Sequence, residues 1–396
     1  MEIVCFGSAD YEEPNWVNAQ HLMWRLAERH RVLYVNSLGL RPPRAARGDL
    51  RKIGRRLAAL WRGVLRRPHA DRDLHLLTPW NLPSGRGALR EALGARLLSA
   101  QLRGALQRLG FRTPLVWSFL PSAAPVIARL APAALVYHCV DAYEVNPGVD
   151  ADWVRAQERR LLRRADCVIA SSAPLQARLA ARHPDVRLMP NVADLDLYPP
   201  PGQPPPEPPE LRPIGRPRIG YLGNLAAYKC DLPLLARAAR ARADLSWIFI
   251  GALGRGEAPP DLGALRTAAR VHLLGERPRE ALPGLLHHLD VGLIPFARNE
   301  TTRHSFPMKF FEYLACGLPI VCPPLDSLRA HARPPHAYPY ATEAEFLPAI
   351  EAALGHRDPA AARARRTLAE QHSWTRRMQE IEGLLGELRA RVPLLG

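Results

Sequence analysis

Ten of the nineteen residues from Pro199 to Pro217 are proline. Proline has no backbone N–H and its ring clashes with the preceding helical turn, so neither a helix nor a central strand can run through this stretch. The chain is therefore read in two halves, and the same pattern recurs on both sides. Before the prolines, the runs EIVCFG, RVLYVNS, PLVWSF, ALVYHCV and CVIASS alternate with helical spacings such as residues 16 to 30 and 151 to 165. After them come RIGYLGN, SWIFIGA, VHLLGE, VGLIPF and PIVCPP. Such alternation predicts parallel sheets wrapped by helices. With 396 residues, 47% of them hydrophobic, the chain can fill two cores. The expectation is a Rossmann-like domain over 1–198, a stiff linker over 199–217, and a second Rossmann-like domain over 218–375. Open α/β sheets bind ligands at the carboxyl ends of their strands, so a central cleft faced by both domains is expected to hold the site.

The formal charge of +16 predicts attraction to something anionic: nucleic acid, a lipid surface or a phosphorylated substrate. Residues 41–70 carry ten Arg/Lys against one acid, Asp49, while Ile53, Leu57, Leu60, Trp61, Val64 and Leu65 recur at helical spacing. Two readings stay open: a solvated helix packed on its own domain, or a helix lying on anionic lipid. The six cysteines show no metal-ligand spacing and read as reduced core residues of a cytosolic protein. The opening MEIVCFGSAD lacks a signal-peptide pattern and no run of 18 apolar residues occurs, so neither secretion nor membrane spanning is expected. A cytoplasmic protein, peripheral on the inner membrane face if residues 41–70 bind lipid, is the expectation.

The densest chemistry lies in "VGLIPFARNETTRHSFPMKFFEYLACGLPIV", residues 291–321. A strand ends at Phe296, a polar loop passes Asn299, Thr302 and Ser305, and a helix begins near Pro307. Amides at a helix start suit a phosphate, and Lys309 adds a full charge one turn in. Glu312, on the same face, can accept from vicinal hydroxyls such as those of a ribose. The alternative is a plain surface ion pair between Lys309 and Glu312, worth a few tenths of a kcal/mol. Upstream, "RIGYLGNLAAYKCDLPLL" puts a glycine turn at Gly223 and a lysine at Lys229. In the first half, "LVYHCVDAYE" ends a strand at His138 and Asp141, and Asn15, Asn18 and Gln20 stand in the first loop and helix.

Residues 271–321 and 218–235 together resemble the donor-binding segments of GT-B glycosyltransferases related to glycosyltransferase family 4, including those of teichuronic acid and other surface polysaccharides. The resemblance implies a GT-B fold with the donor nucleotide held by the second domain and the acceptor by the first, and a final helix, 376–396, returning to the first domain. It implies metal-independent transfer, with retention, of a sugar from a nucleotide diphosphate to a glycan or lipid-linked acceptor. Gly223, Asn224, Lys229, Arg277, Thr302, Ser305, Lys309 and Glu312 become donor-site candidates. Lys229 and Lys309 would take the diphosphate and Glu312 the ribose. Two departures stand out. Asn224 occupies a position where the family usually has arginine, and His304 stands eight residues before Glu312, where many members have a sugar-contacting glutamate. His304 itself or Glu300 is the substitute, and His138 and Asp141 are the candidates near the transferred sugar and the acceptor hydroxyl.

Neither a G-x-G-x-x-G after a strand nor a phosphate-binding G-x-x-x-x-G-K-[ST] is present. The pairs Asp194/Asp196 and Asp71/Asp73 have the D-x-D form of a metal site, but no metal, no cofactor and no nucleic-acid partner is expected. A nucleotide-sugar epimerase of the same fold and a non-enzymatic basic lipid- or nucleic-acid-binding protein remain as rival readings.

Overall fold

A computed structural model describes residues 1–13, 16–40, 65–80, 87–254 and 260–394. The described chain divides into two compact units, one of residues 1–190 with 378–396, the other of residues 191–377.

The first unit is built on β1 (Glu2–Phe6), β2 (Arg31–Val35), β3 (Leu65–Arg66), β4 (Leu74–Leu77), β5 (Leu115–Ser118), β6 (Ala134–Cys139), β7 (Cys167–Ala170) and β8 (Val186–Leu188). They lie in the order β3-β4-β2-β1-β5-β6-β7-β8. All neighbours are parallel except β3, which runs antiparallel beside β4. LVWS of β5, ALVYHC of β6 and CVIA of β7 are buried at every position. This is the continuous apolar signature of strands covered on both faces. Val4, Phe6, Val116, Tyr137 and Val168 meet residues of the surrounding helices in one core.

The second unit uses β9 (Arg218–Leu222), β10 (Ser246–Ile250), β11 (Val271–Gly275), β12 (Val291–Leu293), β13 (Ile320–Cys322) and β14 (Ala337–Pro339). All are parallel, in the order β11-β10-β9-β12-β13-β14. Numbered within the unit this is 3-2-1-4-5-6, the doubly wound order whose direction of winding reverses between its first and fourth strands. That switch point lies between β9 and β12. The alternation predicted from the sequence is present. The short strands β3, β4, β8 and β14 are additions to it, because two to four residues carry too little pattern to be read.

The proline-rich segment corrects an expectation. It is not a separate linker: residues 199–217 belong to the second unit, with Leu211 and Ile214 buried in its core. A segment so poor in N–H groups leaves its carbonyls to be satisfied from elsewhere. His287 Nε2 lies 3.0 Å from the Pro199 carbonyl and His288 Nε2 2.9 Å from that of Pro205. The buried Arg218 guanidinium donates to the carbonyls of Leu211 and Ile214, both at 2.7 Å, and to the Glu207 carboxylate at 2.6 Å. The boundary expected at residue 198 therefore falls at 190, and Trp374–Arg391 is one helix whose residues from 378 onward belong to the first unit.

All six cysteines are free and buried. No helix among the described residues is long and apolar enough to cross a membrane. Of the basic stretch 41–70, residues 41–64 lie outside the described residues, as does Asn15.

Candidate active site

The second unit assembles its candidate site at the switch point. β9 ends at Leu222, and Gly223 follows with φ +143°, a conformation that side-chain-bearing residues rarely adopt. A Cβ at Gly223 would sit 3.1 Å from Lys309 Nζ and 3.2 Å from its Cε, so the missing side chain makes room for the lysine. The loop beyond is tied to the exit of β12. Cys230 forms an antiparallel bridge with Phe296, the Ala297 N–H donates to Lys229 O at 2.9 Å, and Asn299 Nδ2 donates to Tyr228 O at 2.9 Å.

The helix Lys309–Ala315 is anchored by Tyr313. Its buried hydroxyl accepts from the Leu222 N–H at 2.7 Å and donates to Leu293 O at 3.2 Å, spanning the ends of β9 and β12 where the two strands diverge. The ring lies against Gly292, where a Cβ would be 2.6 Å from Tyr313 Cδ2. Phe310, Phe311 and Leu314 bury the rest of the inner face. Fixed in this way, the helix holds Lys309 over the switch point and Glu312 one turn further along.

Lys309 Nζ lies 5.0 Å from the centre of the Tyr221 ring and 5.3 Å from that of Phe296, while Lys229 Nζ lies 5.1 Å from the same Phe296 ring. Two ammonium groups thus meet one aromatic ring, which attracts each of them, while Lys229 repels the charge on Lys309. Among the described residues neither forms an ion pair with a carboxylate. Burial, and then the neighbouring Lys229, push the Lys309 ammonium down from its ordinary value to about 8. Burial pushes the Glu312 carboxyl up, opposed by Lys309 and Arg279 and reinforced by Asp194. Lys309 and Glu312 do not close into the surface ion pair that was the bland alternative. Both are half-buried.

The other candidates separate into groups. Asn224 sits in the turn, its carbonyl accepting from the Tyr221 hydroxyl at 3.1 Å. Thr302 is fully buried and works for the loop: its N–H donates to Asn299 Oδ1 at 3.0 Å, its hydroxyl accepts from Asn299 N–H at 3.2 Å, and the hydroxyl also meets Ala297 O. Ser305 is buried and donates to Thr301 O at 3.1 Å. Arg277 stands beyond β11, the edge strand two places from β9, and donates to Glu210 at 3.2 Å. Thr302 and Arg277 are thus both tied to neighbouring groups of the unit. Glu300 opens the short helix Glu300–His304 in an exposed position, 3.5 Å from Arg303 and 3.8 Å from His304 Nε2. The helix carrying Lys309 is only seven residues long, and its Phe310 N–H already donates to Pro307 O at 3.0 Å. The expected role of helix-start amides therefore shrinks in favour of the two lysines. Asp194, of the D-x-D pair, forms an ion pair with Arg279.

In the first unit His138 is buried at the end of β6. It is stacked on Phe119 with ring centres 4.7 Å apart, and its Nδ1 accepts from the Trp117 indole at 3.4 Å. An Nδ1 that accepts places the neutral ring's proton on Nε2, making the ring a donor at that atom. Asp141 follows in the turn, its Oδ1 accepting from the Ala142 N–H at 3.0 Å. Gln20 caps its helix, accepting from the Val17 N–H at 2.8 Å and donating to Asp10 O at 3.0 Å, and Asn18 is buried beside it. Sequence reasoning missed Tyr221, Phe296 and Tyr313. Only the position of each at a strand end or one residue past Glu312 hinted at them.

Residues 234–383 match the family described as Glycosyl transferase-like. A Bacillus subtilis (strain 168) protein named as the teichuronic acid biosynthesis glycosyltransferase TuaH is 25% identical over 240 residues, a match covering 58% of this chain and 58% of that protein. Among solved structures, sucrose-phosphate synthase from Thermosynechococcus elongatus superposes with a TM-score of 0.70 at 15% identity, covering 98% of this chain and 99% of that one. Anabaena HepE in complex with UDP-glucose gives a TM-score of 0.67 at 16% identity, covering 98% and 100%. The E. coli trehalose-6-phosphate enzyme bound with UDP-2-fluoro glucose gives 0.68 at 12% identity, covering 98% and 99%. The chain has the GT-B fold of these glycosyltransferase structures, and its second unit carries a match to the glycosyl transferase-like family.

Proposed function

We propose that the protein is a glycosyltransferase, related to glycosyltransferase family 4, that moves a sugar from a nucleoside diphosphate sugar to an acceptor hydroxyl. The observation that carries this reading is the convergence of Lys229 and Lys309 on the Phe296 ring at the β9/β12 switch point, with Glu312 on the next turn. When the glycosidic bond breaks, negative charge grows on the departing diphosphate, and preorganised cations stabilise it. Two lysines supply that charge without a metal ion, and the Asp194 carboxylate is already engaged by Arg279. Glu312 accepts from the ribose hydroxyls. The neighbours solved with UDP and UDP-glucose support a uridine diphosphate sugar as donor. The B. subtilis relative, named for teichuronic acid biosynthesis, supports a glycan acceptor in surface polysaccharide synthesis; a lipid-linked acceptor at the membrane rests on the family resemblance. Retention of configuration rests on the family resemblance. His138 and Asp141 are the first unit's candidates for contacting sugar and acceptor, and His304 or Glu300 stands in for the missing glutamate.

Thermal unfolding in the presence of UDP, ADP, GDP and dTDP and their sugars tests the donor reading, since a ligand that binds the native state alone raises the melting temperature. A uridine diphosphate sugar should give the largest rise. No rise with any nucleotide would sink the proposal, and conversion of the donor to an isomer without transfer would make it an epimerase.

A further inference from the structure

The helix Ala88–Leu109 has one face in the core, where Ala95, Leu98, Leu102 and Ala105 pack. Its opposite face is unusual for a protein surface. Leu89, Leu93 and Leu97 recur every fourth residue and are 84%, 56% and 45% exposed. Arg90, Arg96, Arg103 and Arg108 are exposed on the same outward side. The helix has a single acid, Glu91, and that carboxylate is turned inward, accepting from the Trp153 indole at 2.9 Å, Gln157 at 2.8 Å and Arg160 at 2.5 Å. Trp80, 54% exposed, is held beside the helix because its backbone N–H and carbonyl both bond the Gln101 side chain, at 2.9 and 2.7 Å. On the flank, Arg129, Arg160, Arg163 and Arg164 surround a surface depression that Ala92 and Ala95 of the same helix also line.

We infer that the outer face of the helix Ala88–Leu109, together with Trp80, docks on an anionic lipid bilayer. Leucines in helical register want hydrocarbon, the arginines between them reach phosphate headgroups while their stems stay apolar, and an indole suits the boundary. Other occupants satisfy only half of the surface. A second copy of the chain would oppose arginine to arginine, and a nucleic acid would leave the leucines in water. The inference does not depend on the donor assignment.

The test is sedimentation of the full-length protein with phosphatidylcholine vesicles, with and without phosphatidylglycerol. Binding should require the anionic lipid and fall with salt. Leu93→Glu with Leu97→Glu should lower the partition coefficient about tenfold, since burying two carboxylates in place of two leucines removes the apolar contact. Arg96→Gln with Arg103→Gln should lower it several-fold and flatten its salt dependence. Both variants should keep the wild-type melting temperature and UDP response, which separates failure here from failure of the donor reading. Neutralising Arg51, Lys52, Arg55 and Arg56 should leave the leucine-dependent part in place. The inference is overturned if the wild type ignores anionic vesicles, or if the double leucine variant binds them as well as the wild type. It is equally overturned if the leucine variant instead converts a dimer to a monomer, which would give the face to a second copy.

Discussion

Replacing Lys309 with methionine should make the ligand-free protein more stable while weakening its hold on a nucleoside diphosphate. The lysine is held at about 8 instead of 10.5 by burial and by Lys229. Each pKa unit corresponds to about 1.4 kcal/mol, so the charged form carries a native-state penalty of at most about 3.5 kcal/mol. Residual solvent screening brings the expected gain down to about 1–2 kcal/mol, or a few degrees in melting temperature for a unit of this size. The sign with pH follows from proton counting. Below pH 8 the lysine is charged in both states and the penalty is complete. Between about 8 and 10.5 the unfolded chain binds the proton and the native protein does not, so native stability rises with pH through that window. Binding of a diphosphate has the opposite slope, because it favours the ammonium. Affinity should fall about tenfold between pH 7 and 9, as the free lysine loses its proton. Lys229→Ala should weaken binding by about 1–3 kcal/mol and move the break to higher pH, since it removes a neighbour that depresses Lys309. Scanning fluorimetry and titration calorimetry with UDP at pH 7 and 9 measure both quantities. A Lys309→Met protein that is less stable at pH 7, or that binds UDP as tightly as the wild type, would refute the assignment of the paired lysines to an anion.

Two further substitutions probe the frame of the site. Glu312→Gln should weaken UDP more than inorganic diphosphate in calorimetry, because only the nucleotide carries the ribose; equal losses would make the carboxylate structural. Tyr313→Phe should lower stability to urea by about 1–3 kcal/mol, since it leaves the Leu222 N–H and the Leu293 carbonyl without the hydroxyl they share, and UDP affinity should fall with it. Intact affinity in that variant would show that the helix holding Lys309 is positioned by its buried phenylalanines alone.

Much of this architecture could be read from local pattern. Each buried parallel strand is a run of apolar residues bounded by polar turns, so EIVCF, SWIFI and CVIA announce themselves without reference to their neighbours. Gly223, Lys229, Lys309 and Glu312 could be singled out as donor-site candidates because their order along the chain resembles a known donor segment. The role of the prolines was not. Local chemistry forbids helix and central strand at residues 199–217, but the carbonyls that such a segment leaves open are filled by Arg218, His287 and His288, distant side chains that draw it onto the second unit. The hydrogen bonds that tie Thr302 to Asn299 and Arg277 to Glu210 were likewise invisible in the sequence, the second because its partner stands 67 residues away. The strongest feature of the site belongs to the same class. That Lys229 and Lys309, eighty positions apart, converge on Phe296 depends on β9 and β12 being neighbours at the switch point and on Tyr313 pinning both strand ends. Residue type and spacing specify which groups are available, because propensity and polarity act over a few residues. Which of them meet, and what that meeting does to their charge, is set by strand order and burial, which are properties of the whole packed unit.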